Sequence, residues 1–149
     1  MKTSGIISVI LVIIAMAAFH HPAFPQGRAN GTLLIYITGL KDTHGQLLVA
    51  LYHITDEFLG ETPAFGWGMF ISKKEELIRF DRVPYGKYAI AVIHDTDNDG
   101  QLSKNFIGIP TEGYGFSNNA KGNCGPPSFR DASFDFSDNY DTKVIALCY

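Results

Sequence analysis

Along most of this chain, apolar residues recur at every second position, and the three-to-four spacing of an amphipathic helix is missing. Side chains of a strand point alternately to its two faces, so such a pattern folds as half-buried strands packed against a second layer. In Thr32 to Ile37, the residues Leu33, Ile35 and Ile37 share one face. Gln46 to His53 repeats the pattern with Leu47, Val49 and Leu51, after a turn-like Gly39 to Gly45. Thr55 to Gly68, rich in Gly, Pro and aromatics, reads as a loop or short helix-like excursion. Met69 to Ser72 and Glu76 to Phe80 read as short strands joined by the charged turn Lys73-Lys74-Glu75. Gly86 to His94 reads as the central strand, with Tyr88, Ile90 and Val92 opposing Ala89, Ala91 and Ile93. Lys143 to Tyr149 reads as the last strand. About seven short strands without intervening helices predict an all-β, antiparallel β-sandwich.

One stretch breaks the alternation. From Asp95 to Ala132 the chain is rich in Gly, Pro, Asn and aromatics. A connection of that length within a compact domain is functional or disordered. Phe106, Ile107, Ile109, Tyr114, Phe116 and Phe129 speak against disorder as anchors, and predict one long ordered loop across the surface.

The first residues read as a leader: Lys2, the apolar, uncharged run Ile6 to Phe19, and the small-x-small triplet Ala15-Met16-Ala17. The run is shorter than the roughly 20 residues of a membrane span. The expectation is therefore a signal peptide over residues 1–26, a single domain over 27–149, and a periplasmic or extracellular location with no stable membrane span. Loss of Lys2 takes the formal net charge from −3 to −4, which excludes nucleic acid as a natural partner. In an oxidising compartment the two cysteines, Cys124 and Cys148, are expected to pair. Such a bridge closes a loop of about 25 residues and contributes about 3.5 kcal/mol in the chain-entropy account.

Directly after the central strand stands Asp95-Thr96-Asp97-Asn98-Asp99-Gly100-Gln101. Alternate carboxylates followed by Gly suit Ca2+, a hard cation that takes several oxygen ligands around a sharp turn. Asp95, Asp97 and Asp99 fill three ligand places and Gln101 offers its backbone oxygen. Phe106 stands where an EF-hand carries its bidentate Glu, so a remote carboxylate is required, with Glu112 and Asp131 nearest. The competing reading is a turn in which the Asp side chains bond their own backbone. Farther on, Tyr114, Phe116, Asn118 and Asn119, together with His94, resemble a ligand-binding surface of rings and orienting amides. An enzymatic alternative, a hydrolase using His94 and Glu112 with Ser117 or Ser128 as nucleophile, lacks a Gly-x-Ser-x-Gly elbow and a complete triad.

The segment Phe80-Asp81-Arg82-Val83-Pro84-Tyr85-Gly86-Lys87-Tyr88 resembles the strand entry of prealbumin-like and carboxypeptidase-regulatory-like β-sandwiches. Taken with His94-Asp95, Gly108-Ile109-Pro110, Glu112 to Asn119 and Gly125-Pro126-Pro127-Ser128-Phe129, the chain resembles the bacterial domain-of-unknown-function 2141 family. That resemblance implies an exported β-sandwich and brings no particular activity. The expectation from residues and resemblance together is a non-enzymatic binding or interaction module for a ligand or protein partner, working through the long loop.

Overall fold

A computed structural model describes residues 29–123 and 125–149. The leader-like residues 1–26 and Cys124 lie outside the described residues. Among the described residues, eight strands form two sheets: β1 (Asn30–Thr38), β2 (Gln46–His53), β3 (Phe65–Phe70), β4 (Glu76–Pro84), β5 (Gly86–Asp95), β6 (Gly113–Phe116), β7 (Phe134–Phe136) and β8 (Tyr140–Ala146). A short helix, α1 (Phe129–Ala132), precedes β7. The three-stranded sheet runs β4-β1-β8, and the five-stranded sheet runs β3-β2-β5-β6 with β7 also paired to β5. This is the expected all-β sandwich.

The alternation read from the sequence is the packing observed. Leu33, Ile35 and Ile37 of β1 face Leu47, Val49 and Leu51 of β2 and Tyr88, Ile90 and Val92 of β5 across one core. Burying such aliphatic side chains contributes about 1.5–3 kcal/mol each relative to exposure. Strand β5 is covered on both faces. Its Ala89 and Ala91 belong to a second, smaller cluster with Tyr52, Phe116 and Ala132, on which Phe58 and Phe129 pack. The Tyr88 hydroxyl donates to the Pro84 carbonyl at 2.9 Å, so the ring that opens the core strand also ties the turn before it.

Three expectations need correction. The segments around Lys73-Lys74-Glu75 do not form a hairpin: β3 pairs with β2, β4 pairs with β1, and the connection crosses from one sheet to the other. Glu76 holds this crossing, its Oε1 accepting from the Ser72 N–H at 2.7 Å, the Ser72 hydroxyl at 2.8 Å and the Lys73 N–H at 3.0 Å. A charged turn in a sandwich serves either topology, and the start of β3 is concealed by glycines at alternate positions, Gly66 and Gly68. The last strand begins at Tyr140 and lies parallel to β1, the one exception to antiparallel pairing among the sheets described. Parallel neighbours need a long connection, and strands from opposite ends of the domain have one.

The 95–132 excursion is not a single loop, since it contributes β6, a 3-10 turn over Ser117–Asn119 and α1. Of its six expected anchors, Phe106 is 99% exposed, and Ile107 and Ile109 are exposed as well; only Tyr114, Phe116 and Phe129 pack. The expected pairing of Cys124 with Cys148 involves a residue outside the described ones; Cys148 itself donates through its Sγ to the Tyr114 carbonyl at 3.3 Å.

Candidate functional site

Strand β5 ends by delivering Asp95 into the acidic loop. One carboxylate oxygen from each of Asp95, Asp97 and Asp99 lies within 4.8 Å of the other two. Asp95 is fully buried, and Asp97 and Asp99 are exposed. The loop closes on Asp95: its Oδ2 accepts from Gly100 N–H at 3.0 Å and from the Gln46 amide at 2.8 Å, and its Oδ1 from Asp99 N–H at 3.2 Å. Burial acts to raise the Asp95 pKa, but these donors outweigh it and hold the carboxyl below its ordinary value. Asp97 accepts from Asp99 N–H at 3.2 Å and Asp99 from Gln101 N–H at 2.7 Å, two successive Asx turns. Both left-handed positions the turn requires are filled by suitable residues, Asn98 at φ 60° and Gly100 at φ 82°. Gln101 meets the cluster through that N–H. The sequence-level alternatives thus share one geometry: the turn bonds gather the carboxylates that a cation would use.

Glu112 acts on the same loop from outside. Its Oε1 accepts from the Thr96 N–H at 2.6 Å and the Thr96 hydroxyl at 2.7 Å, and its Oε2 from the Ser103 N–H at 3.0 Å. The carboxylate is buried, which acts to raise its pKa, as does the neighbouring Asp95; the donors prevail and the net shift is downward. Asp131, the other remote candidate, instead serves α1, where it accepts from the Ser128 hydroxyl at 2.7 Å.

His94 lies on the core side of β5, in line with Tyr88, Ile90 and Val92, and is fully buried. Its Nε2 is 2.8 Å from the His44 carbonyl, which can only accept, so Nε2 carries the proton. Its Nδ1, 2.6 Å from the Tyr149 hydroxyl, then accepts from it in the neutral ring. Both ring nitrogens are spent on joining β5 to the 44 turn and to Tyr149. Ser117 is likewise structural: buried, it accepts from Ile90 N–H at 2.8 Å and donates to the Ala132 carbonyl at 2.6 Å. Ser128 caps α1. Asn118 donates to the carbonyls of Asp131 and Ser133, at 3.2 and 2.9 Å, and Asn119 accepts from Ala146 N–H at 3.0 Å. Of the five expected ligand-binding residues, therefore, Tyr114 and Phe116 stand together, while His94, Asn118 and Asn119 bond other parts of the fold.

Tyr114 and Phe116 face a cleft of about 970 Å³ on the outer side of the five-stranded sheet. Register places Phe116 beside Ala91 and Tyr114 beside Ile93, with Ala50 opposite Gly66 and Leu48 opposite Gly68 farther along the floor. The alternating glycines of β6 have a packing cause. A Cβ on Gly113 would come within 2.5 Å of the Tyr149 ring, and one on Gly115 within 2.8 Å of Ile145. Small residues on the inner face therefore let β6 close on the core while its aromatics line the outer face. A Cβ on Gly66, by contrast, would have only the Pro63 ring nearby, at 3.9 Å. The roof is a small hairpin tied by Thr111 N–H to Ser103 carbonyl at 2.9 Å and Asn105 N–H to Ile109 carbonyl at 2.8 Å, with Ile107 and Ile109 lining the cleft. Trp67 of β3 borders it too, but its register opposite Val49 puts its side chain on the inner face of the sheet, with Phe65 and Met69. The floor glycines, Trp67 and the hairpin were not singled out from sequence; the Gly-x-Gly spacing of Phe65 to Phe70 was the available signal.

Among the described residues no helix is long and apolar enough to cross a membrane. Comparison with curated proteins and with solved structures gave no match. Residues 35–144 match the model of a family described as an uncharacterized protein conserved in bacteria, DUF2141, in agreement with the resemblance carried by the Pro84-Tyr85-Gly86 and Glu112-to-Asn119 segments. With well over half of its length matched, the chain belongs to the DUF2141 family.

Proposed function

We propose that this protein is a non-enzymatic binding module whose working face is the cleft on the outer side of the five-stranded sheet. The observation that carries this reading is the concave, apolar space of about 970 Å³, near the upper end of the range usual for small-molecule sites. The chemistry around it supports binding over catalysis. His94, Glu112 and Ser117, the residues an enzyme would have to use, are each engaged in bonds that hold the fold together. Nile red, a neutral apolar dye, tests the reading. Its emission should rise on saturable binding to the native protein, and Gly66→Leu, which projects a side chain into the cleft, should remove that binding without lowering the melting temperature. Dye binding unchanged by Gly66→Leu would place any apolar site elsewhere and refute the reading.

A second element of the proposal is that calcium stiffens the 95–101 loop. Its support is the approach of three carboxylates to within 4.8 Å, two of them open to solvent. A site with so few charged ligands fits the weak affinities of extracellular modules, about 10⁻⁴–10⁻³ M. That range suits the exported location expected from the N-terminal residues.

A further inference from the structure

The geometry points to the ligand class of this cleft: an anionic amphiphile with a single apolar chain, its acid group held by Lys104. The inference rests on the binding reading above and adds the chemistry of the ligand. Apart from Lys104 and the hydroxyls of Tyr52 and Tyr114, the side chains lining the cleft are aliphatic or aromatic. A sugar or nucleotide buried there would leave hydroxyl or amide groups without partners, at a cost of about 1–3 kcal/mol for each. The Tyr52 hydroxyl does not relieve this, since it already donates to the Gly60 carbonyl at 3.0 Å. An alkyl chain leaves no such group unpaired.

The polar end is set by charge. Lys104 stands on the roof hairpin, bridged to Pro110, and is exposed. Among the described residues it forms no ion pair. Lys104 is also, of those residues, the one charged side chain lining an apolar cleft, so at short range it attracts a carboxylate, sulfate or phosphate and repels a cationic head, against the weaker and screened field of a chain of net charge −3.

The experiment titrates dodecanoate and dodecanol, below their aggregation limits, into the full-length protein preloaded with Nile red while displacement of the dye is followed. Dodecanoate should displace the dye saturably, with one molecule per chain in native mass spectrometry, and should bind more tightly than dodecanol. Lys104→Glu should weaken dodecanoate by about tenfold and leave dodecanol nearly unchanged, since charge reversal acts on the acid alone. Gly66→Leu should abolish both. Equal affinity for acid and alcohol, or dodecanoate binding indifferent to Lys104→Glu, would overturn the assignment of the anionic end; the cleft itself would stand if Gly66→Leu still blocked Nile red. Failure of both alkyl ligands to bind would overturn the ligand class. A Nile red site that opens only on dilution would assign the cleft to a second copy of the chain, and would overturn it too.

Discussion

Replacing Glu112 by Gln removes one charge and otherwise keeps the shape of a buried side chain. The native carboxylate receives three hydrogen bonds, two from Thr96 and one from Ser103, at 2.6–3.0 Å. In the variant, the amide oxygen can keep the Thr96 pair, but its NH₂ then confronts the Ser103 N–H, donor against donor. One charge-assisted bond, worth about 1.5–3 kcal/mol, is lost, and the other two fall toward the value of neutral bonds. Relief of burial and of the repulsion from Asp95 returns part of this, leaving a net loss of about 2–3 kcal/mol at pH 7. For a domain of this size that corresponds to about 10 °C in melting temperature. The sign of the pH dependence follows from the lowered pKa. A carboxylate whose folded pKa lies below its unfolded value stabilises the protein above the unfolded value, and that stability is lost as pH falls through the folded pKa. The gap between wild type and Glu112→Gln, read by urea unfolding with circular dichroism, should therefore be full near pH 7 and narrow below about pH 4.5. No gap at pH 7, or one that stays constant down to pH 3, would refute the role of Glu112 as the clasp of the acidic loop.

Calcium at about 100 times its dissociation constant should stabilise the protein by about 2.7 kcal/mol. Asp97→Asn and Asp99→Asn should remove that gain and Glu112→Gln should retain it; a melting curve indifferent to calcium and to chelator would sink the metal site. Val92→Asp places an unpaired charge among Leu33, Leu51 and Ile90 and should destabilise by more than about 4 kcal/mol, checked by the yield and unfolding midpoint of the variant. Gly115→Ala should cost about 1–3 kcal/mol, because its methyl would meet Ile145 at 2.8 Å. Gly66→Ala should melt within about 0.5 kcal/mol of wild type, so equal effects of the two would contradict the packing assigned to β6.

The sandwich was legible because a strand with one buried face writes its burial into alternate letters. Gln46 to His53 reads correctly to the residue, and Tyr88, Ile90 and Val92 occupy the core side expected of them. Where glycine takes every second place, as in Phe65 to Phe70, the loop-like composition masks the alternation of Phe65, Trp67 and Met69 although the strand forms. Pairing partners were not legible at the Lys73-Lys74-Glu75 turn, since a tight hairpin and a crossing between sheets call for the same polar residues there. At the candidate site, sequence brought Asp95, Asp97 and Asp99 together correctly because their spacing is local. It could not show that His94 turns inward, nor that Glu112 spends both oxygens on Thr96 and Ser103, because those outcomes depend on contacts many residues away. The exposed Phe106, Ile107 and Ile109 show the same limit: an apolar residue in a loop says that something apolar is met, and not whether that partner belongs to the same chain.

The parallel pairing of β1 with β8 bears on the order in which the chain can acquire its structure. The first strand of the domain sits between β4 and the last strand, so the three-stranded sheet stays open on one side until residues 140–146 arrive. Ile145 and Leu147, which complete the main core, arrive at the same moment. Joining segments about a hundred residues apart carries the loop-closure entropy of nearly the whole domain, and topologies dominated by such distant contacts fold in about milliseconds to seconds. During synthesis the nascent polypeptide thus carries an unfinished sheet with Leu33, Ile35 and Ile37 still seeking cover. Over that interval those side chains stay open to contacts with other molecules, so the risk of aggregation is greatest before the final strand has emerged.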